Sequence, residues 1–231
     1  MSGDGPTRGS SPGSAPTESR RPIRARGARW VHALVDRLDR LGVSPNAVSV
    51  LSVVCSAAGA ISIGVSASVG PTTAALLLAS APVWIGLRSL CNLLDGLIAV
   101  EKNRGRPSGI VFNEFPDRVS DVFFFVGAGL AAMPVELGVH LGWAAAAVAL
   151  LTAYGRAFGA ACGGGHDFRG PMAKPHRMAV LALACLSASV EDLTVGTTYA
   201  LSAGLVVVIA GGVVTIARRL RALVATLEST G

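Results

Sequence analysis

The sequence is poor in charged residues. Only 15% of its 231 residues are Asp, Glu, Lys or Arg, whereas 51% are hydrophobic. An ordinary soluble domain carries more charge and fewer apolar residues, so this balance excludes that class and is typical of membrane proteins. The length is sufficient for one compact membrane domain.

Cysteine is also scarce, and its positions do not form a metal-binding or disulfide pattern. Zinc sites and disulfide frameworks require close, recurring spacings, which these residues lack. We interpret the cysteines as small apolar side chains packed among the helices. The four positions are Cys55, Cys91, Cys162 and Cys185.

The N-terminal region lacks an apolar stretch and consists mainly of Gly, Ser, Pro and Arg. A cleavable signal peptide needs such a stretch, so none is predicted, and residues 1–28 are expected to form a disordered basic tail. Residues 29–231 are expected to form the membrane domain. Within it, residues 29–41 predict an amphipathic helix that lies on the membrane surface. Its apolar side is predicted to contain Trp30, Leu34, Leu38 and Leu41.

Long apolar stretches occupy most of the remaining chain. Each is long enough to cross the hydrocarbon core of a bilayer, about 30 Å, as a helix. Backbone polar groups must be satisfied within each segment in lipid, which favours helices. The sequence therefore predicts an all-α, polytopic membrane protein with six transmembrane helices. The predicted spans are residues 46–67, 72–99, 109–133, 138–161, 176–190 and 196–217.

Lys and Arg are absent from the predicted loops 66–71, 133–138 and 190–196. They lie instead in the N-terminal tail, the alternate loops, the C-terminus and the adjoining helix ends. The positive-inside rule therefore predicts a multi-pass protein of a bacterial-type inner membrane with both termini in the cytoplasm. The net charge of +6 is explained by this bias and by contact with membrane lipid headgroups, so no nucleic-acid partner is expected.

Polar residues recur inside the second and third predicted spans, toward their cytoplasmic ends. Asn92 and Asp95 are three residues apart and share one helix face, as do Asn113, Asp117 and Asp121, which are spaced by four. Ionisable residues in a span usually mark a functional site. Oxygen ligands select hard cations such as Mg²⁺, Mn²⁺ or Ca²⁺, and a phosphate-bearing substrate suits such a site.

Two other interpretations of these residues remain open. The charges can form helix-packing ion pairs, for example Asp95 with Arg88 or Asp121 with Arg118. The acidic residues can also line the ion path of a small membrane transporter, although the far halves of the spans carry no charge to continue it.

The stretch from Asn92 to Asp117 resembles the signature of the CDP-alcohol phosphotransferase (CDP-alcohol phosphatidyltransferase) family. That signature reads D-x-x-D-G-x-x-A-R, eight residues, then G-x-x-x-D-x-x-x-D. The chain matches it without a gap, and the six-span topology is similar to that of the family. The matching residues are Asp95, Gly96, Ala99, Gly109 and Asp117.

Three positions depart from the signature. Asn92 and Asn113 stand where the family has aspartate, and Val100 stands where it has arginine. An amide still offers a carbonyl oxygen to a metal but no charge, so metal binding in a two-metal site is expected to be weaker. The residues that we expect to compensate for the missing arginine are Arg88, Lys102 or Arg104.

The resemblance implies transfer of a phosphatidyl group from CDP-diacylglycerol, or another CDP-alcohol, to an alcohol or polyol-phosphate acceptor, with release of CMP. It implies Mg²⁺ or Mn²⁺ as cofactor, a cytoplasm-facing site and a homodimer. Asp117 is expected to accept the acceptor's proton. The metal ligands implied are Asn92, Asp95, Asn113 and Asp117, with Asp121 as an additional carboxylate. The substrate-binding residues are expected to be Gly96, Ala99, Gly109, Arg156, Lys174 and Arg177. A catalytically weakened relative that binds CDP-lipid or metal is the alternative.

Overall fold

A computed structural model describes residues 28–102, 108–165, 167 and 169–230, without the side chains of residues 110, 113 and 230. Within these residues the regular structure is entirely helical, which confirms the predicted all-α class. The predicted tail, 1–28, lies outside them except for its last residue. The helices are α1 (Arg29–Arg40), α2 (Pro45–Val65), α3 (Pro71–Ala79), α4 (Ala81–Glu101), α5 (Gly109–Ala131), α6 (Val135–Ala161), α7 (Lys174–Val195) and α8 (Tyr199–Thr230).

Five helical segments are long and apolar enough to cross a membrane, in accord with a polytopic membrane protein. Helix α5 is not among them, because it carries four charged residues, Glu114, Asp117, Arg118 and Asp121. The six-span count therefore stays a prediction. The five segments are Pro45–Ser68, Pro71–Glu101, Val135–Ala161, Lys174–Val195 and Tyr199–Ser229.

The second predicted span is not one continuous helix. It is divided at Ser80 into α3 and α4, because Pro82 has no backbone N–H to continue the helical hydrogen bonds. The Ser80 hydroxyl donates to the Leu77 carbonyl oxygen at 2.6 Å. The division lets the two halves pack separately, α3 mainly against α7 and α4 mainly against α2.

Helix α2 packs closely against both α4 and α5, whereas α4 and α5 approach each other less closely. Small residues permit the close packing, as is common between membrane helices. A Cβ atom added at Gly127 of α5 would lie 2.6 Å from the carbonyl oxygen of Ala60 in α2. Between α4 and α5 there remains a gap that polar side chains cross.

Helix α1 packs one face against α2 and α4. Val31 and Val35 are fully buried in a cluster with residues of both helices, and Leu34 and Leu38 pack beside them. Trp30 and Leu41, which the sequence pattern placed on the apolar side, are exposed. The packed residues, Val31, Leu34, Val35 and Leu38, follow the i, i+3, i+4, i+7 spacing of a helix face. This face begins at Val31, one residue later than the predicted face, which began at Trp30. That α1 lies on a membrane surface stays a prediction.

Helix α1 is also tied to the end of α4. Lys102 Nζ pairs with Asp36 Oδ1 at 2.6 Å, and His32 Nδ1 lies 3.2 Å from Glu101 Oε2. The hydrogen bond from Lys102 lowers the pKa of the Asp36 carboxyl. Lys102 is therefore engaged with α1, which does not favour its expected role in compensating for Val100.

We expect Gly127→Ala to destabilise the protein by about 1–3 kcal/mol, because the new methyl group overlaps backbone atoms that cannot move aside cheaply. Gly86→Ala is the matched control, since its Cβ would meet nothing within 4 Å. Thermal unfolding in detergent, followed by circular dichroism, measures the difference. Equal midpoints for the two variants would contradict the close α2–α5 packing.

Candidate functional site

The gap between α4 and α5 is bridged by a buried arginine. Arg88 of α4 is 1% exposed, and one of its terminal nitrogens donates to Asp117 Oδ1 at 3.1 Å and to Asp121 Oδ1 at 3.2 Å. The same nitrogen lies 3.2 Å from the Asp117 carbonyl oxygen. Asn92, one turn further along α4, donates to Asp117 Oδ1 at 2.5 Å. The polar faces of α4 and α5 therefore meet at Asp117.

Helix α7 contributes two further cations to the same carboxylates. Lys174, its first residue, pairs with Asp117 Oδ2, and Arg177 pairs with Asp121 Oδ2. Arg177 also donates to the hydroxyl of Thr152 on α6 at 2.8 Å. We define the ionic cluster as Arg88, Asp117, Asp121, Lys174 and Arg177.

The cluster is open at one end and closed at the other. The side chains of Asp117 and Lys174 are 14% and 31% exposed, whereas that of Asp121 is 1% exposed. Asp121 lies one helical turn further along α5. Asp117 is therefore within reach of a ligand, and Asp121 is enclosed by its two arginine partners.

Asp95 lies beside this cluster on α4. Ser49 of α2 donates to its Oδ2 at 2.6 Å, whereas its Oδ1 is buried and has no hydrogen-bond partner among the residues that the structure describes. A buried carboxylate oxygen without a partner is costly unless a cation or donor satisfies it. The adjacent Gly96 faces space, since an added Cβ would meet nothing within 4 Å among the described residues.

A second group of charges lies near the start of α5. Both carboxylate oxygens of Glu114 accept from Arg156 of α6, at 2.6 and 2.7 Å. Arg118 donates to Glu114 Oε2 at 2.7 Å. Two arginines, one on α5 and one on α6, thus contact the same carboxylate.

The ion pairs in the structure differ from the examples considered for the sequence. Arg88 contacts Asp117 and Asp121 rather than Asp95, and Arg118 contacts Glu114 rather than Asp121. Packing ion pairs do form, but their partners come mainly from other helices. The predicted acceptor-binding cations Arg156, Lys174 and Arg177 are all paired with carboxylates of α5.

Among the described residues, no group of three or more His, Cys, Asp and Glu is arranged to hold a metal ion. The unpartnered Oδ1 of Asp95 nevertheless fits a hard divalent cation. Asn92, three residues earlier on α4, has an amide oxygen that suits the same kind of ion. The oxygens of Asp117 are already engaged by Arg88, Asn92 and Lys174. The residues present therefore fit a cation at Asp95 better than a cation shared equally with Asp117.

The other predicted site residues lie around the connection between α4 and α5. Ala99 is near the end of α4 and Gly109 begins α5. The residues between them, including Arg104, fall partly outside the described chain, as does the side chain of Asn113. Their predicted roles in substrate and metal binding stay predictions.

Two hydroxyl residues of the site were not identified from the sequence. Ser49 holds Asp95, and Thr152 holds Arg177. A signal for Ser49 was present, because Ser49, Ser52 and Ser56 form a stripe at helical spacing in an otherwise apolar span, and all three are buried. Thr152 gave no comparable signal, since isolated hydroxyls are common in membrane helices.

We expect Asp121→Asn to lower the stability of the protein by about 3 kcal/mol or more, because it leaves Arg88 and Arg177 as incompletely neutralised buried charges. Asp95→Asn is the control, since an asparagine can still accept from Ser49, and it should change stability much less. Thermal unfolding monitored by Trp fluorescence measures both. The assignment of Asp121 as a buried counter-ion is wrong if the two variants unfold at the same temperature.

The comparisons with known proteins identify the fold. No protein-family model and no curated protein matches the sequence. Crystal structures of Mycobacterium tuberculosis phosphatidylinositol phosphate synthase do match. The complex with CDP-DAG has a TM-score of 0.69 at 24% identity, and the match covers 85% of this chain and 94% of that one. The complex with manganese and citrate has a TM-score of 0.68 at 23% identity, with 84% and 88% covered. The chain therefore has the fold of phosphatidylinositol phosphate synthase.

Proposed function

We propose that this protein is a metal-dependent CDP-alcohol phosphatidyltransferase of phospholipid biosynthesis. The observation that carries the proposal is the meeting of the two signature segments, on α4 and α5, in one polar cluster, through Arg88, Asn92 and Asp117. The shared fold with a synthase crystallised with CDP-DAG supports it. Membership of the CDP-alcohol phosphotransferase family is part of the proposal.

The donor is proposed to be CDP-diacylglycerol or another CDP-alcohol. A lipid-linked nucleotide has apolar chains that belong in the bilayer and a charged pyrophosphate that needs cations. The apolar helices and the partly exposed end of the ionic cluster together meet these two requirements. The space beside Gly96 lies next to Asp95 on α4 and is the proposed position of the nucleotide.

In the proposed reaction, the acceptor hydroxyl oxygen forms a bond to the phosphorus that carries the lipid, and the bond from that phosphorus to the CMP oxygen breaks. The hydroxyl proton passes to Asp117, and CMP leaves with the electron pair of the broken bond. Asp117 Oδ2 has Lys174 as its one described partner, so it retains a lone pair to accept this proton. Lys174 and Arg88 hold the carboxylate in place.

The proposed cofactor is Mg²⁺ or Mn²⁺, held by Asp95 with the amide oxygens of Asn92 and Asn113. Asp117 would join these ligands only in competition with its ion pair to Lys174. When bound, the ion would neutralise the pyrophosphate and the departing CMP. A crystal structure of the neighbouring synthase contains manganese, which supports this proposal. Ser49 positions the Asp95 carboxylate by its 2.6 Å hydrogen bond.

The acceptor is proposed to be an alcohol or a polyol phosphate that enters from the cytoplasm. Arg156 and Arg118 lie together at Glu114, and guanidinium groups suit the phosphate of an anionic acceptor. The inner-membrane location, the cytoplasmic termini and a homodimer complete the proposal, supported by the charge pattern of the loops and by the resemblance.

We expect the purified protein to release CMP from CDP-diacylglycerol in the presence of Mg²⁺ or Mn²⁺ and a suitable alcohol or polyol phosphate. A chelator should abolish release, and Asp117→Asn should reduce it by about 100-fold or more, because the proton acceptor is lost. Lys102→Gln, in the surface pair with α1, is the control and should retain activity. A well-folded preparation that releases no CMP with any acceptor would count against the proposal.

A catalytically weakened relative that binds CDP-lipid or metal is a second candidate, favoured by the engagement of both Asp117 oxygens with cations and an amide. Under this alternative, the triple change Asn92→Asp, Asn113→Asp and Val100→Arg should create CMP release where the unaltered chain has none, because it restores two ligand charges and one cation. Equal and measurable release of CMP by the unaltered chain and by the triple variant would exclude this alternative.

A further inference from the structure

Lys174 occupies an unusual place for a lysine in a proposed metal-dependent site. It is the first residue of α7, and its ammonium pairs directly with Asp117 Oδ2. The other oxygen of that carboxylate accepts from Arg88 and Asn92. A divalent cation would have to compete with all of these donors to bind Asp117.

Asp95 presents the opposite situation. Among the described side chains it has one hydrogen-bond partner, Ser49, which donates to Oδ2, and its buried Oδ1 has none within the described part of the chain. The two carboxylates retained from the signature thus differ, since Asp95 has an unsatisfied oxygen and Asp117 has none. A cation that binds this site gains most at Asp95.

The charges of the site reinforce this difference. Asp95, Asp117 and Asp121 supply three formal negative charges, and Arg88, Lys174 and Arg177 supply three positive charges, so the sum is zero. One divalent ion would raise the sum to +2, and two would raise it to +4. Like charges repel strongly in a poorly solvated site, so a second ion is disfavoured while Lys174 remains.

We propose that the Lys174 ammonium takes the place of one divalent cation on Asp117, so that the chain binds a single Mg²⁺ or Mn²⁺ ion, at Asp95. The inference rests on the proposed function. Lys174 is 31% exposed and sits at the open end of the cluster, where its charge also faces an incoming pyrophosphate. A lysine is a compact point charge on a flexible stem, which suits this substitution for a metal ion.

The test is a count of bound Mn²⁺ ions per chain, made on the full-length protein in detergent without nucleotide, by electron paramagnetic resonance of free Mn²⁺. The unaltered protein should bind one ion. Lys174→Met should bind two, because the change frees Asp117 Oδ2 and removes a positive charge. Lys102→Met is the matched control and should bind one ion.

Lys174→Arg keeps the charge and should also bind one ion, which provides a second variant if Lys174→Met does not fold. The inference is overturned if the unaltered protein or Lys174→Arg binds two ions, or if Lys174→Met binds only one. It is also overturned if no form of the protein binds an ion. The ion count is independent of CMP release. Activity with two bound ions would refute the role of Lys174 alone, whereas the expected counts without activity would refute the proposed function.

Discussion

The carboxylate of Asp121 joins the helices around the candidate site. It belongs to α5 and pairs with Arg88 of α4 and Arg177 of α7, and Arg177 continues to Thr152 of α6. Four helices are therefore linked through two buried side chains, Asp121 and Arg177. Few direct contacts link α4 to α5, so their relative position depends on α2, which packs against both helices, and on this network. A buried charge pair also permits few arrangements, since each alternative leaves a charge without a partner.

The same network connects stability with the proposed chemistry. Arg88 holds both Asp121, which is enclosed, and Asp117, which is accessible. The accessible carboxylate therefore has its position fixed by an arginine that the fold itself requires. Such support restricts the motion of a reacting group and reduces the reorganisation needed during the reaction. The open end of the cluster, with Lys174 and Asn92, is thus distinct from the enclosed end at Asp121.

Sequence patterns predicted the helical class and the polar faces of α4 and α5, because apolar length and three- or four-residue spacing are local properties of a chain. They did not predict the division at Ser80, although Pro82 was a visible signal, because proline is tolerated within many membrane helices. Nor did they predict the partners of Arg88 or the role of Ser49. A long side chain on one helix can reach several acids, and the choice depends on how α2 spaces α4 from α5.

Helix α8 has a length that matters for the surrounding bilayer. Its 32 residues extend for about 48 Å, whereas a typical hydrocarbon core is about 30 Å thick. The surplus turns carry Arg218, Arg219 and Arg221. Arg219 is fixed by hydrogen bonds to the carbonyl oxygens of Arg169 and Thr152. Deeper immersion of α8 in a thicker bilayer would bring these arginines toward the hydrocarbon, where charge is costly, so they oppose immersion beyond this point.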